Sequence, residues 1–237
     1  MEKVVSAIVL DSKPYKEDHV QLLLLTNTDD KMYAICKGVK KSTSKLKTLA
    51  SPFCFAEYTL NIKNQCQIIG GHLYDTFFSI SKNYIAYLCA NCMCALLRSS
   101  QSAQANFSSL FIPAVNSLKS WCYSDINPKA VLAYFLIKYL ECIGYKLNLE
   151  TCATCSEKLN KCFINVSSGE CVCEKCQELY CFPLNDNQVE FIKNSLNDNI
   201  ENLDDLNSVA LLKILGNTIY SLTEIKILLN EILNISN

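Results

Sequence analysis

Arginine is almost missing from this 237-residue chain: Arg98 is the only one. The positive charge is therefore nearly all lysine, a point charge suited to phosphate and without the planar fork that reads a base edge bidentately. Any binding to nucleic acid is expected to be weak in sequence specificity. Histidine is nearly as scarce. His19 stands beside Asp18 and His72 follows Gly70-Gly71, and neither neighbours another ligand or nucleophile in sequence, so both read as structural. No phosphate-binding glycine loop, no dinucleotide-binding glycine motif and no Ser/His/Asp set is visible. Long apolar runs are absent too. Stretches such as residues 131–137 are too short to span a bilayer, and no secretory leader is expected at the N-terminus. Internal repeats and low-complexity tracts are lacking, and an apolar content of 50% argues against disorder.

Cysteine, by contrast, is abundant. Fifteen cysteines without a leader point to a reducing cytoplasm, with free thiols and metal ligands in place of disulfides. Two Cys-x-x-Cys pairs stand out, Cys152/Cys155 and Cys173/Cys176, with 17 residues between them. Each pair can grip one ion from a single tight turn, and the two together make a four-cysteine zinc ribbon. A hairpin over residues 163–169 fits between the two turns. Cys162, Cys171 and Cys181 lie nearby, but Cys171-x-Cys173 is a poor chelate, so Cys162 and Cys171 are read as bystanders. Four thiolates leave no open position for water, which makes structural Zn2+ the expectation and catalytic zinc a poor fit. Neither pair opens a helix after a strand, which argues against redox chemistry. Cys89, Cys92 and Cys94 fall on an expected helix, where Cys89 and Cys92 lie on the buried face as small core residues.

Charge is uneven along the chain. Residues 1–80 hold ten lysines against eight acids, net +2, and residues 181–237 hold three against eight, net −5. Within residues 37–47, KGVKKSTSKLK, Lys37, Lys40, Lys41, Lys45 and Lys47 stand without a single acid. Gly38, Ser42, Thr43 and Ser44 let backbone and hydroxyls approach phosphates. The plain alternative is a solvated charged loop.

Periodicity divides the chain. Residues 3–10, 19–26, 31–37, 53–62 and 65–69 read as five short strands, with a turn or bulge at 12–18 broken by Pro14, and Gly70-Gly71 and then Asp75 closing the set. Five strands without a comparable helix suggest a small barrel of the OB type. Tyr33, Phe53, Phe55 and Tyr58 are its candidate stacking faces, some of which must be core. From residue 84 the period becomes helical: 84–97, 107–123, about 128–142 with Asn127 as cap and Pro128 first, then 186–196 and 208–235 after a break at Pro183. The fold class expected is α+β in two domains: an OB-fold barrel over 1–80, then a helical domain over 81–237 with a zinc ribbon inserted at about 150–180.

The chain resembles the bacterial RecO family. Residues 7–26, AIVLDSKPYKEDHVQLLLLT, resemble its opening strand, turn and second strand. Residues 31–53, KMYAICKGVKKSTSKLKTLASPF, resemble its third strand and basic loop. Residues 141–155, ECIGYKLNLETCATC, resemble its Gly-Tyr passage into the first Cys-x-x-Cys. The likeness runs in order through essentially the whole chain, with Lys where the family often has Arg. It implies a non-enzymatic DNA repair and recombination mediator that binds single- and double-stranded DNA and anneals complementary strands. It also implies association with RecR and with the C-terminal tail of the single-strand-binding protein, and help for RecA in loading onto DNA. The setting it implies is the bacterial cytoplasm and nucleoid. Carried over by position, Lys37, Lys40, Lys41, Lys45 and Lys47 would contact DNA, with Lys13 beside the first turn. The tail would need a basic-rimmed apolar groove, for which Lys129, Lys138 and Arg98 are candidates. The rival readings are a zinc-dependent or thiol-redox enzyme built on the cysteine cluster, and an adaptor whose barrel binds RNA.

Overall fold

The computed structural model describes residues 1–28, 30–39, 44, 46–101 and 106–235. Its N-terminal part is a closed barrel of five strands: β1 (Glu2–Tyr15), β2 (His19–Thr26), β3 (Lys31–Cys36), β4 (Phe55–Ile62) and β5 (Cys66–Asp75). Neighbours run in the order β1-β2-β3-β5-β4, with β4 closing onto β1. All pairs are antiparallel except β3 with β5. This is the OB-fold arrangement expected from the strand count.

Three features depart from the strand pattern read in the sequence. β1 does not stop before Pro14 but continues to Tyr15, with an irregularity between Val9 and Asp11. Beyond Ile8 the strand pairs with β2 on one side and no longer with β4, so the missing N–H of Pro14 costs no ladder bond on the open side. Phe53 does not begin β4; it takes a left-handed backbone (φ 66°), and the strand begins at Phe55. The set closes at Asp75, as read, but not at Gly70 and Gly71. They lie inside β5, where a Cβ on Gly71 would come 2.5 Å from the Glu57 carbonyl oxygen.

The run HVQLLLLT is apolar on both faces because both faces are buried. Val20, Leu22 and Leu24 point into the barrel with Val5, Ala7 and Val9 of β1. Leu23 and Leu25, with Ile8 and Leu10, point outward into the core of the helical domain. Strands covered on both sides lose the simple in-out alternation of polarity. One continuous core thus joins barrel and helices.

The helical part comprises α1 (Tyr84–Ser99), α2 (Phe111–Tyr123, after a 3-10 turn over Phe107–Leu110), α3 (Pro128–Cys142), α4 (Asp186–Leu196), α5 (Asp205–Thr223) and α6 (Asn230–Asn234). Asn127 caps α3 by accepting from the Lys129 N–H, with Pro128 at the first position, as the sequence indicated. Almost every α3 side chain is buried, because the helix runs through the middle of the domain. The last helix expected over 208–235 is two pieces. Glu224 turns left-handed (φ 59°) at the end of α5, and the chain folds back so that Leu229 packs on Gly216 and Ile232 enters the core. Among the described residues no helix is long and apolar enough to cross a membrane.

Candidate metal centre and nucleic-acid interface

Between α3 and α4 lies a three-stranded sheet in the order β7-β6-β8, formed by β6 (Cys162–Asn165), β7 (Glu170–Val172) and β8 (Cys181–Leu184). The expected hairpin is β6 and β7. The third strand carries Pro183, read in the sequence as a break; β8 pairs only with β6, so it is an edge where proline is tolerated. Alternation sorts the thiols. Cys162 of β6 and Cys171 of β7 face the helical core, whereas Val172 faces the other way, with Cys152 and Cys173.

Two tight turns then bring four sulfurs together. In the first, Cys152 accepts from the Ser156 N–H, and Ser156 takes a left-handed backbone (φ 60°). In the second, the Cys176 N–H donates to the Cys173 carbonyl. The Sγ atoms of Cys152, Cys155, Cys173 and Cys176 all lie within 4.8 Å of one another, and those of Cys155 and Cys173 are 3.8 Å apart. A tetrahedral ion with bonds of about 2.3 Å to sulfur requires sulfur separations of about 3.8 Å. A disulfide requires about 2.05 Å. The spacing therefore fits a four-thiolate metal site.

The surrounding amides favour anionic sulfur. The Cys155 N–H, with those of Cys173 and Thr154, draws the Cys152 thiol down to about 6 against the cost of desolvation. The Cys173 N–H lies 3.3 Å from Cys152 Sγ. The fourth proton is harder to remove: hydrogen bonds to Cys173 and Cys155 push Cys176 up to about 12. One thiolate forms readily and four repel, so a cation at the centre is what makes the full set stable. Four sulfurs complete a tetrahedron and leave no position for a water or substrate.

The lysine-rich segment joins β3 to β4 at one end of the barrel. Lys37 and Lys47, its first and last lysines, are exposed; Lys40, Lys41 and Lys45 lie outside the described residues. Lys13 is exposed on the far half of β1 and pairs with Asp11 at 3.2 Å. Past the loop, the 3-10 turn Thr48–Ala50 is tied to the barrel interior by Tyr58, whose hydroxyl donates to the Leu49 carbonyl at 2.7 Å. Tyr58 is thus an anchor of the loop and not a stacking face. Phe53 is buried, and Phe55 packs on Phe111 and Tyr74. Of the four aromatic candidates only Tyr33, 62% exposed, presents an open ring.

The cations read as a rim for an acidic peptide fare differently. Lys129 is fully buried, donating to Asp205 at 2.7 Å and to the Ile235 carbonyl at 2.6 Å, so it belongs to the core and not to a rim. Lys138 bridges Glu141 (2.8 Å) and Asp198 (3.2 Å), and Arg98 reaches Asp11 at 3.4 Å. His19 accepts from the Gly38 N–H at 3.3 Å, which pins the start of the basic loop to β2.

An OB barrel packed against a helical part that carries four cysteines placed to hold a metal ion defines the class of protein. The comparisons narrow this to one family. A model described as recombination protein O N terminal matches residues 1–70, and one described as recombination protein O C terminal matches residues 81–222. The chain belongs to the recombination protein O family. It is 28% identical over 202 residues to the DNA repair protein RecO of Clostridium perfringens, covering 83% of this chain and 82% of that one. The protein of the same name from Caldicellulosiruptor bescii is 25% identical over 218 residues, 91% and 88% of the two chains. That of Mycoplasma mycoides is 29% identical over 217 residues, 86% and 84%.

Proposed function

We propose that this DNA repair protein is a non-enzymatic mediator of homologous recombination in the bacterial cytoplasm and nucleoid. Residues 1–80 bind single- and double-stranded DNA, and Lys37, Lys40, Lys41, Lys45 and Lys47 make phosphate contacts, with Lys13 as an outlying one. Residues 81–237 carry the contact to the C-terminal tail of the single-strand-binding protein, and the protein also associates with RecR. Through these the protein anneals complementary strands and helps RecA load onto coated DNA. What supports the reading is the acid-free run of five lysines in the sequence, whose first and last members, Lys37 and Lys47, are exposed beside an OB barrel. Lysines release counterions from both strands while leaving base edges free, which lowers the repulsion that slows annealing.

The metal is Zn2+, the usual occupant of a closed four-thiolate tetrahedron, and its role is structural. A metal-dependent enzyme built on this cluster would need an open coordination position, and four thiolates on one ion leave none.

The test is a salt titration of single-strand binding with all five loop lysines changed to Ala. Five lost contacts lower the slope of log affinity against log salt by roughly 3 to 4. An unchanged slope and affinity overturns the reading. Strand annealing on DNA coated with the single-strand-binding protein, with and without the same changes, tests the mediator step.

A further inference from the structure

Where the basic loop returns to the barrel, a groove of about 570 Å³ opens between the barrel and the start of α1. Its lining includes Lys47, Phe53, Phe77, Phe78, Tyr87 and Asn91, together with hydroxyls from Thr48, Ser51, Thr76 and Ser81. Among the described residues no acidic side chain lines it. Two of its rings are open to solvent: Phe78 is 70% exposed and Tyr87 42%. Tyr87 is held from behind by an edge contact to buried Phe53, with centroids 6.1 Å apart at 81°. Lys82 places its ammonium 5.9 Å over the Phe78 ring. Phe78 lies in the 3-10 turn Phe78–Lys82, set by Phe77, whose backbone is left-handed (φ 48°) and whose N–H donates to Asp75 at 2.8 Å.

Exposed aromatic rings between two lysines, with hydroxyl and amide donors alongside and no carboxylate, form a platform for an unpaired base and its flanking phosphates. The volume falls within the range of small-ligand sites. An acidic peptide would use the lysines but would gain little from a row of small hydroxyls. We infer that this groove seats one or more unpaired bases of single-stranded DNA, stacked on Phe78 and Tyr87, and continues the phosphate track of the lysine loop. The inference rests on the loop being the DNA contact. It adds what the loop alone lacks, namely a means of preferring single strands, because paired bases cannot leave their stack to enter.

Phe78→Ala and Tyr87→Ala remove exposed rings and spare the core. Each is expected to weaken binding of an oligo(dT) strand by about five-fold or more. The salt slope and the affinity for duplex DNA stay at wild-type values, since stacking releases no phosphate counterions. Retained duplex binding also shows that the variants fold. An oligonucleotide carrying 2-aminopurine should lose fluorescence on binding wild type and keep it on binding the double variant. Unchanged single-strand affinity and unchanged 2-aminopurine quenching in the double variant overturn the groove, as does loss of binding to a synthetic acidic peptide with DNA binding intact. The five-lysine variant separates the two readings: it lowers the salt slope if the loop binds DNA, whatever the rings do.

Discussion

The ammonium of Lys31, at the start of β3, donates a 2.8 Å hydrogen bond to the backbone carbonyl of Leu97, in the last turn of α1. It also donates to the Ser100 carbonyl and lies 4.3 Å over the ring of Phe107. One barrel lysine thus satisfies carbonyls that a helix end leaves without partners, at the pole where a cation is favoured. Lys31→Met removes these donors and leaves carbonyls in a partly buried place. The expected loss is about 2 kcal/mol of unfolding free energy, measured by denaturant titration.

The same residue gives a pH signature. Burial lowers the Lys31 pKa below its ordinary 10.5, against the nearby charge of Asp30. Between the lowered folded value and 10.5 the unfolded chain binds more protons, so stability from this residue rises with pH in that window. Wild type should gain on Lys31→Met as pH climbs toward 10.5. A gap between the two that narrows over that range contradicts the assignment.

Lys129 and Asp205 make an asymmetric pair. Lys129 is wholly buried, whereas the Asp205 side chain is 37% exposed. Removing the acid strands an ammonium in the core, with the Ile235 carbonyl as its remaining acceptor in this contact; removing the lysine leaves an acid that water can reach. Asp205→Ala should therefore cost about 3 kcal/mol and Lys129→Met about 1 kcal/mol or less. Equal losses would contradict that account.

Chelation of the metal should unfold the ribbon and loosen its contact with the helices through Cys162, Ile164 and Cys171. Hydrogen exchange of β6 and β7 should rise on chelator treatment while the barrel strands stay protected. Cys152→Ser should do the same without chelator and bind less than one equivalent of metal. Cys162→Ala and Cys171→Ala should still bind one.

Gly71→Ala places a methyl 2.5 Å from the Glu57 carbonyl, where backbone must move. A loss of about 2 kcal/mol is expected, and Gly70→Ala, with nothing within 4 Å, should cost well under half of that. Thermal melting of the two single variants decides this.

Local chemistry was legible in the sequence, and contact made at a distance was not. Asn185 and Gln188 form a reciprocal cap, and α4 begins beside it at Asp186, where the sequence placed it. The four thiol ligands could be chosen from spacing alone because a chelating turn is a local object. Pro14 and Gly71 misled because each acts through a neighbouring strand: one sits where a strand has lost a partner, the other where two backbones nearly touch. Lys129 looked like a surface cation, as most lysines are, and nothing near it in sequence announces Asp205. Tyr58 and Phe55 carry the same ambiguity, since strand alternation marks a ring as inward or outward only when one face of the sheet is wet.

That last point bears on how the molecule can be dissected. Cutting after residue 80 would leave Ile8, Leu10, Leu23 and Leu25 facing water across two adjacent strands. An isolated barrel would carry a greasy stripe and self-associate, and apparent cooperativity in its DNA binding would then report clumping of the fragment. For this protein the smallest trustworthy object for a binding curve is the whole chain.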